Sequence, residues 1–145
     1  MSAQTQRSIT LRRTGPGQLV ATNGDGLELP VGSGPDTFTP VELLLVALGS
    51  CTALDVEALT RRRAEPDSFD VDVRADSVRD ESGNHLEGVE VTFRVTFPAG
   101  PDGDAARKVL PVAVARSHDR LCMVSRTIER ETPVHTRIDD SSPGS

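Results

Sequence analysis

The chain has 145 residues, 36% hydrophobic and 3% aromatic, with a formal net charge of −6. That is the length of one domain, and the acidic balance argues against a nucleic-acid surface, which needs positive charge clustered against phosphates. Trp and Tyr are absent, so a base-stacking platform is excluded as well, and two cysteines are too few for a disulfide-dense secreted scaffold.

A single domain over residues 6–139 is expected, with flexible tails at 1–5 and 140–145. It opens with a β-meander: strands at Ser8 to Arg13, Gln18 to Thr22 and Leu27 to Val31, turned at Thr14-Gly15-Pro16-Gly17 and Asn23-Gly24-Asp25-Gly26. The clearest local signal follows, in Phe38-Thr39-Pro40-Val41-Glu42-Leu43. Thr39 reads as an N-cap, Pro40 fits the first helical position, and Glu42 closes a capping box. The helix is predicted to run to about Arg63, where Pro66 stops it, with Val41, Leu44, Leu45, Leu48, Cys51, Thr52 and Leu59 as its buried stripe. Its first half is apolar nearly all round, which places it centrally or at a subunit interface and predicts an obligate dimer.

Phe69, Val71, Val73 and Ala75 alternate with polar residues, and Val89 to Phe97 does so again, giving a hairpin with one wet face. Asp104 is read as the cap of a second helix reaching about Ser117, kinked at Pro111. A short helix from Leu121 to Glu129 and a last strand from Val134 to Ile138 complete the expected order. Such an order lacks strict βαβ alternation and predicts an α+β fold with a mostly antiparallel sheet and two main helices.

Met1 to Arg13 contains no apolar stretch of signal-peptide type, and the apolar run Leu43 to Leu48 is short of a membrane span, so a cytoplasmic protein with free thiols and no membrane partner is expected. No G-x-S-x-G elbow or phosphate-binding glycine loop occurs. That leaves Cys51 and Cys122 as the candidates for chemistry. Spacing alone reads them as small buried hydrophobes. His118, four residues before Cys122, could join both in a metal site, but three ligands fall short of the usual structural zinc set.

The stretch Thr39 to Val56, centred on Leu48-Gly49-Ser50-Cys51-Thr52, together with Leu121-Cys122-Met123-Val124-Ser125-Arg126-Thr127 and Pro133-Val134, resembles the OsmC/Ohr superfamily of osmotically inducible and organic hydroperoxide resistance proteins, in its OsmC-like branch. The resemblance implies an intertwined homodimer with active sites at its interface. It further implies reduction of organic hydroperoxides by peroxidatic Cys51 and resolving Cys122, with a dithiol such as dihydrolipoamide as reductant and no metal or organic cofactor. The alternative is a noncatalytic dimer that binds a small apolar or thiol-reactive ligand at its interface.

The chain departs from the family pattern in one respect that bears on reactivity. The resemblance implies an activating arginine before the central helix, yet residues 14–60 contain neither Arg nor Lys. An unperturbed thiol of pKa ~8.5 is only about 3% ionised at pH 7. Arg13 is the nearest arginine on the N-terminal side, with Arg12, Arg120 and Arg126 as other substitutes, and Glu42 stands one residue beyond the family's carboxylate position. Glu42 and Arg13 are therefore carried as possible supporting residues, Glu42 already having a role in the capping box.

Overall fold

The structure, a computed structural model, describes residues 3–139. They fall into two compact units: residues up to Gly49 with Val73–Val91, and Ser50–Asp72 with the chain from Thr92 onward.

In the first unit β1 (Thr10–Gly15), β2 (Gln18–Thr22) and β3 (Glu28–Gly32) form the expected antiparallel meander, with Arg13 opposite Leu19 and Leu19 opposite Val31. The second turn is held by Asn23, whose Oδ1 accepts the backbone N–H groups of Asp25 and Leu27. At the end of β3, a side chain on Gly32 would place its Cβ 2.3 Å from the Gly17 carbonyl oxygen, so only glycine lets the first turn and β3 lie together.

Helix α1 (Pro40–Arg61) starts at the capping box read from the sequence. The Thr39 Oγ1 accepts the Glu42 N–H at 3.2 Å, and the Glu42 carboxylate accepts the Thr39 N–H at 2.9 Å. The Thr39 backbone N–H, and after it the Thr39 side chain, hold the Glu42 carboxyl below its ordinary pKa. The helix contributes to both units, as does the hairpin of β4 (Ser68–Asp80) and β5 (Gly83–Thr96), joined through Glu81-Ser82. The buried line along α1 is Leu48, Thr52, Val56 and Thr60, spaced by four. Val41 and Leu44, expected in that stripe, are exposed instead, because none of the described residues covers that side of the first turns. At 22 residues α1 is also long and apolar enough, by length and composition, to cross a bilayer, which the short count over Leu43 to Leu48 misses.

In the second unit Phe69 and Phe93 meet edge to face across the hairpin, with centroids 6.2 Å apart. Helix α2 (Pro101–Arg116) begins earlier than the expected Asp104 cap. Pro101 takes the first turn, where its missing N–H costs nothing, and Asp102 and Asp104 sit beside the positive end of the helix dipole. Gly103 is required there, since a Cβ would lie 1.7 Å from the Pro98 carbonyl oxygen. Arg107 anchors the same turn by donating to the Phe97 carbonyl at 3.1 Å and by pairing with Asp104.

After α2 the chain makes a π-helical turn, Ser117–Leu121, and then α3 (Met123–Glu129), so the short helix starts two residues later than read from the sequence. The strand expected at Val134 to Ile138 does not form among the described residues. Val134 and Ile138 are 89% and 92% exposed, because a period-two pattern specifies a face but supplies no pairing partner. The architecture is thus α+β with antiparallel strands and three helices, and residues 140–145 of the expected tail lie outside the described residues.

Replacing Thr39 by Ala is expected to cost about 1 kcal/mol in urea denaturation. The Glu42 half of the cap is present above the unfolded carboxylate pKa and is lost as pH falls through the lowered folded value. The loss of stability over that acidic interval should therefore be largest in the wild type, smaller in Thr39→Ala and smaller again in Glu42→Gln, which keeps the share due to Asp80.

Candidate functional site

Cys51 and Cys122, 71 positions apart in the sequence, come together in the second unit. Cys51 stands on α1, half-buried; Cys122 is fully buried at the N-cap of α3. The two thiols share a hydrogen bond. Around them the donors are closely spaced. Cys122 Sγ accepts the Ser125 N–H at 3.4 Å and lies 3.2 Å from the Ser125 hydroxyl. The buried Thr52 hydroxyl bonds to it from α1, and the peptide N–H groups of Val124 and Met123 face Cys51.

These contacts divide the electrostatics unequally. Burial opposes ionisation of both thiols, but at Cys122 the hydrogen bonds from Ser125, Thr52 and Cys51 outweigh it and lower the pKa to about 7. At Cys51 burial comes first and the Val124 N–H only partly offsets it, while the neighbouring Cys122 pushes further upward, so its pKa is raised. The surrounding hydrogen bonds thus favour the anion at Cys122, whereas burial favours the neutral thiol at Cys51.

The connection carrying Cys122 is held at two further points. The Cys122 N–H donates to the Ser117 carbonyl at 2.7 Å, closing the π-helical turn. The buried Ser117 hydroxyl donates to Asp55 Oδ2 at 2.8 Å, tying that turn to α1 one helical turn beyond Cys51. Arg126, on the sequence list of substitute activators, spends its guanidinium on the Asp119 carbonyl. His118 lies between Asp119 and Glu129, which raise its pKa, and among the described residues no His, Cys, Asp and Glu side chains group to hold a metal ion.

Glu42 and Arg13 both belong to the other unit. Glu42 is engaged in the capping box. Arg13 lies on β1 and lines, with Gly17, Val31 and Pro40, a cavity of about 270 Å³. Sequence reasoning assigned no site role to Thr52, Asp55, Ser117 or Ser125: Thr52 is read there as part of the buried stripe, Ser117 as the end of a helix and Ser125 as part of the second motif. The Cys122-x-x-Ser125 spacing is that of an N-cap and its N3 partner and could have been read; the 62-residue separation of Asp55 and Ser117 leaves no local trace.

The family model described as OsmC-like protein matches residues 32–137, and the chain belongs to that family. An uncharacterized protein of Mycobacterium tuberculosis is 26% identical over 134 residues, 91% of this chain and 96% of that protein. Among solved structures, a hypothetical protein of Aquifex aeolicus aligns with a TM-score of 0.72 at 20% identity, covering 89% of this chain and 91% of its own. A Legionella pneumophila protein described as organic hydroperoxide resistance protein OsmC aligns with a TM-score of 0.57 at 18% identity, covering 86% and 91%. These structural likenesses establish the fold.

Ultraviolet thiolate absorbance followed against pH should show one thiol ionising near 7 in the reduced protein. In Cys122→Ser that step should vanish. In Ser125→Ala it should move upward, because one donor to the anion is lost.

Proposed function

We propose that the protein is a thiol-dependent reductase of organic hydroperoxides, cytoplasmic and homodimeric, using Cys51 as the attacking and Cys122 as the resolving cysteine. The observation that carries this reading is the meeting of the chain's only two cysteines at a hydrogen-bonded pair, one half-buried and one fully buried with its pKa lowered to about 7. The half-buried sulfur is the one a substrate reaches. Cys51 attacks the peroxide O–O bond while its thiol proton passes to Cys122; an alcohol leaves after protonation and Cys51 becomes a sulfenic acid. Cys122 then displaces water from that sulfur and forms the disulfide, and a dithiol such as dihydrolipoamide returns both thiols by exchange. In this scheme the neighbouring thiolate takes the part of the arginine missing from residues 14–60. Membership of the OsmC-like family supports it.

The second reading, a noncatalytic dimer binding a small apolar or thiol-reactive ligand at its interface, draws on the raised Cys51 pKa. Intact mass after addition of cumene hydroperoxide to reduced protein separates the two. Reductase chemistry removes two hydrogens from the wild type within seconds to minutes, Cys51→Ser keeps them, and dihydrolipoamide restores the starting mass. No loss in the wild type, or a loss that persists in Cys51→Ser, would overturn it.

Dimerisation rests on exposed apolar surface that a second copy covers: Val41, Leu44, Val46 and Leu54 on α1, with the exposed Val134 and Ile138. Sedimentation should give a dimer for the wild type and a shift toward monomer for Val46→Glu. A monomeric wild type at micromolar concentration, or one that binds lipid vesicles through α1, would sink this part.

A further inference from the structure

The thiol pair uses Thr52 and Ser125 as immediate partners, but one buried polar contact beside it has no part in that chemistry. Ser117 is fully buried, and its two polar groups point in different directions of the fold. Its hydroxyl donates to Asp55 Oδ2 at 2.8 Å, and its carbonyl accepts the Cys122 N–H at 2.7 Å. Asp55 stands four residues after Cys51 on α1, about 6 Å along the helix axis. Two links therefore join the same stretch of α1 to the same short connection: sulfur to sulfur, and carboxylate to serine. The connection itself is a π-helical turn, a geometry less favourable than an α-helical one and common where a chain is bent for function.

We propose that Asp55 and Ser117 are positioning residues of the thiol pair, holding the π-helical turn against α1 so that Cys122 stays in line with Cys51. The inference rests on the reading of the two cysteines as redox partners. Neither residue touches the reacting sulfurs. Ser117 acts through the Cys122 backbone, and Asp55 acts through Ser117. Disulfide formation demands close alignment, because sulfurs in hydrogen-bond contact must still approach to ~2.05 Å with a restricted dihedral angle. A turn free to drift from α1 lowers the effective concentration of one thiol at the other, for disulfide formation and for proton transfer between them alike. An amide oxygen at position 55 would accept the same hydroxyl, so the role belongs to the acceptor and not to the negative charge.

The test is the equilibrium between the reduced pair and its disulfide in glutathione buffers of graded ratio, read by intact mass, with no hydroperoxide present. Asp55→Ala and Ser117→Ala should each lower the equilibrium constant about tenfold, ~30 mV for this two-electron couple. Asp55→Asn should stay within about twofold of the wild type, since it keeps the hydrogen bond. The rate at which hydroperoxide first oxidises Cys51, followed by sulfenic-acid trapping, should fall in both alanine variants, because Cys122 takes the Cys51 proton in that step, and should stay near wild type in Asp55→Asn. A merely structural role would move thermal stability but leave the glutathione equilibrium in place. An unchanged equilibrium in both alanine variants overturns the proposal, as does an Asp55→Asn variant as impaired as Asp55→Ala. Should Asp55→Ala fail to fold, Ser117→Ala and Asp55→Asn still decide it. A wild type that forms no Cys51–Cys122 disulfide at any glutathione ratio would instead remove the redox pairing itself, a result distinct from failure of the positioning role.

Discussion

The contact between Cys51 and Cys122 is the constraint around which the second unit is arranged. It requires a point on α1 to face the start of α3 across 71 residues of chain, and no local interaction produces that. The intervening chain supplies it in stages. Gly103 lets the first turn of α2 close on the Pro98 carbonyl, and α2 runs through Pro111 to Ser117. The π-helical turn then brings Cys122 to the N-cap of α3, where its sulfur does for the Ser125 N–H what a serine or aspartate oxygen does at other helix starts.

That capping geometry separates two properties usually held by one atom. A reactive thiol needs access and it needs a stabilised anion. Here the accessible sulfur is Cys51, whereas the groups that stabilise charge, Ser125 and Thr52, converge on Cys122. The pair can satisfy both needs only together, with the proton held between the sulfurs. In the proposed reductase scheme, the absence of Arg and Lys from residues 14–60 would have a physical counterpart in a neighbouring thiol that takes the Cys51 proton.

The first half of α1 poses a different demand. An apolar helix side exposed at Val41, Leu44 and Val46 cannot be left to water without the loss of roughly 25 cal/mol for each Å² of apolar area that stays uncovered. The helix is long and apolar enough for a bilayer, yet its later turns carry Asp55, Glu57 and Arg61, and Asp55 is already committed to Ser117. The proposed second copy of the chain would meet that demand without placing those charges in hydrocarbon.

Short-range chemistry was legible in the sequence. The meander, its Asn23 turn, the Thr39–Glu42 box and the alternating hairpin all depend on residues a few positions apart. The meander strands and the start of α1 lie within two residues of their expected places, whereas the hairpin strands run longer than read, β4 to Asp80 and β5 from Gly83. The two motifs around the cysteines likewise marked the family. What needed the tertiary structure were the features set by distant partners. The segment Val134 to Ile138 has the right alternation but pairs with no strand among the described residues. The start of α2 was decided by the contact of Gly103 with Pro98, not by the capping strength of Asp104. The sequence by itself determined which two sulfurs could react; only the fold decided which of them carries the charge, because that depends on hydrogen bonds from Thr52 and Ser125 that meet at one sulfur from separate helices.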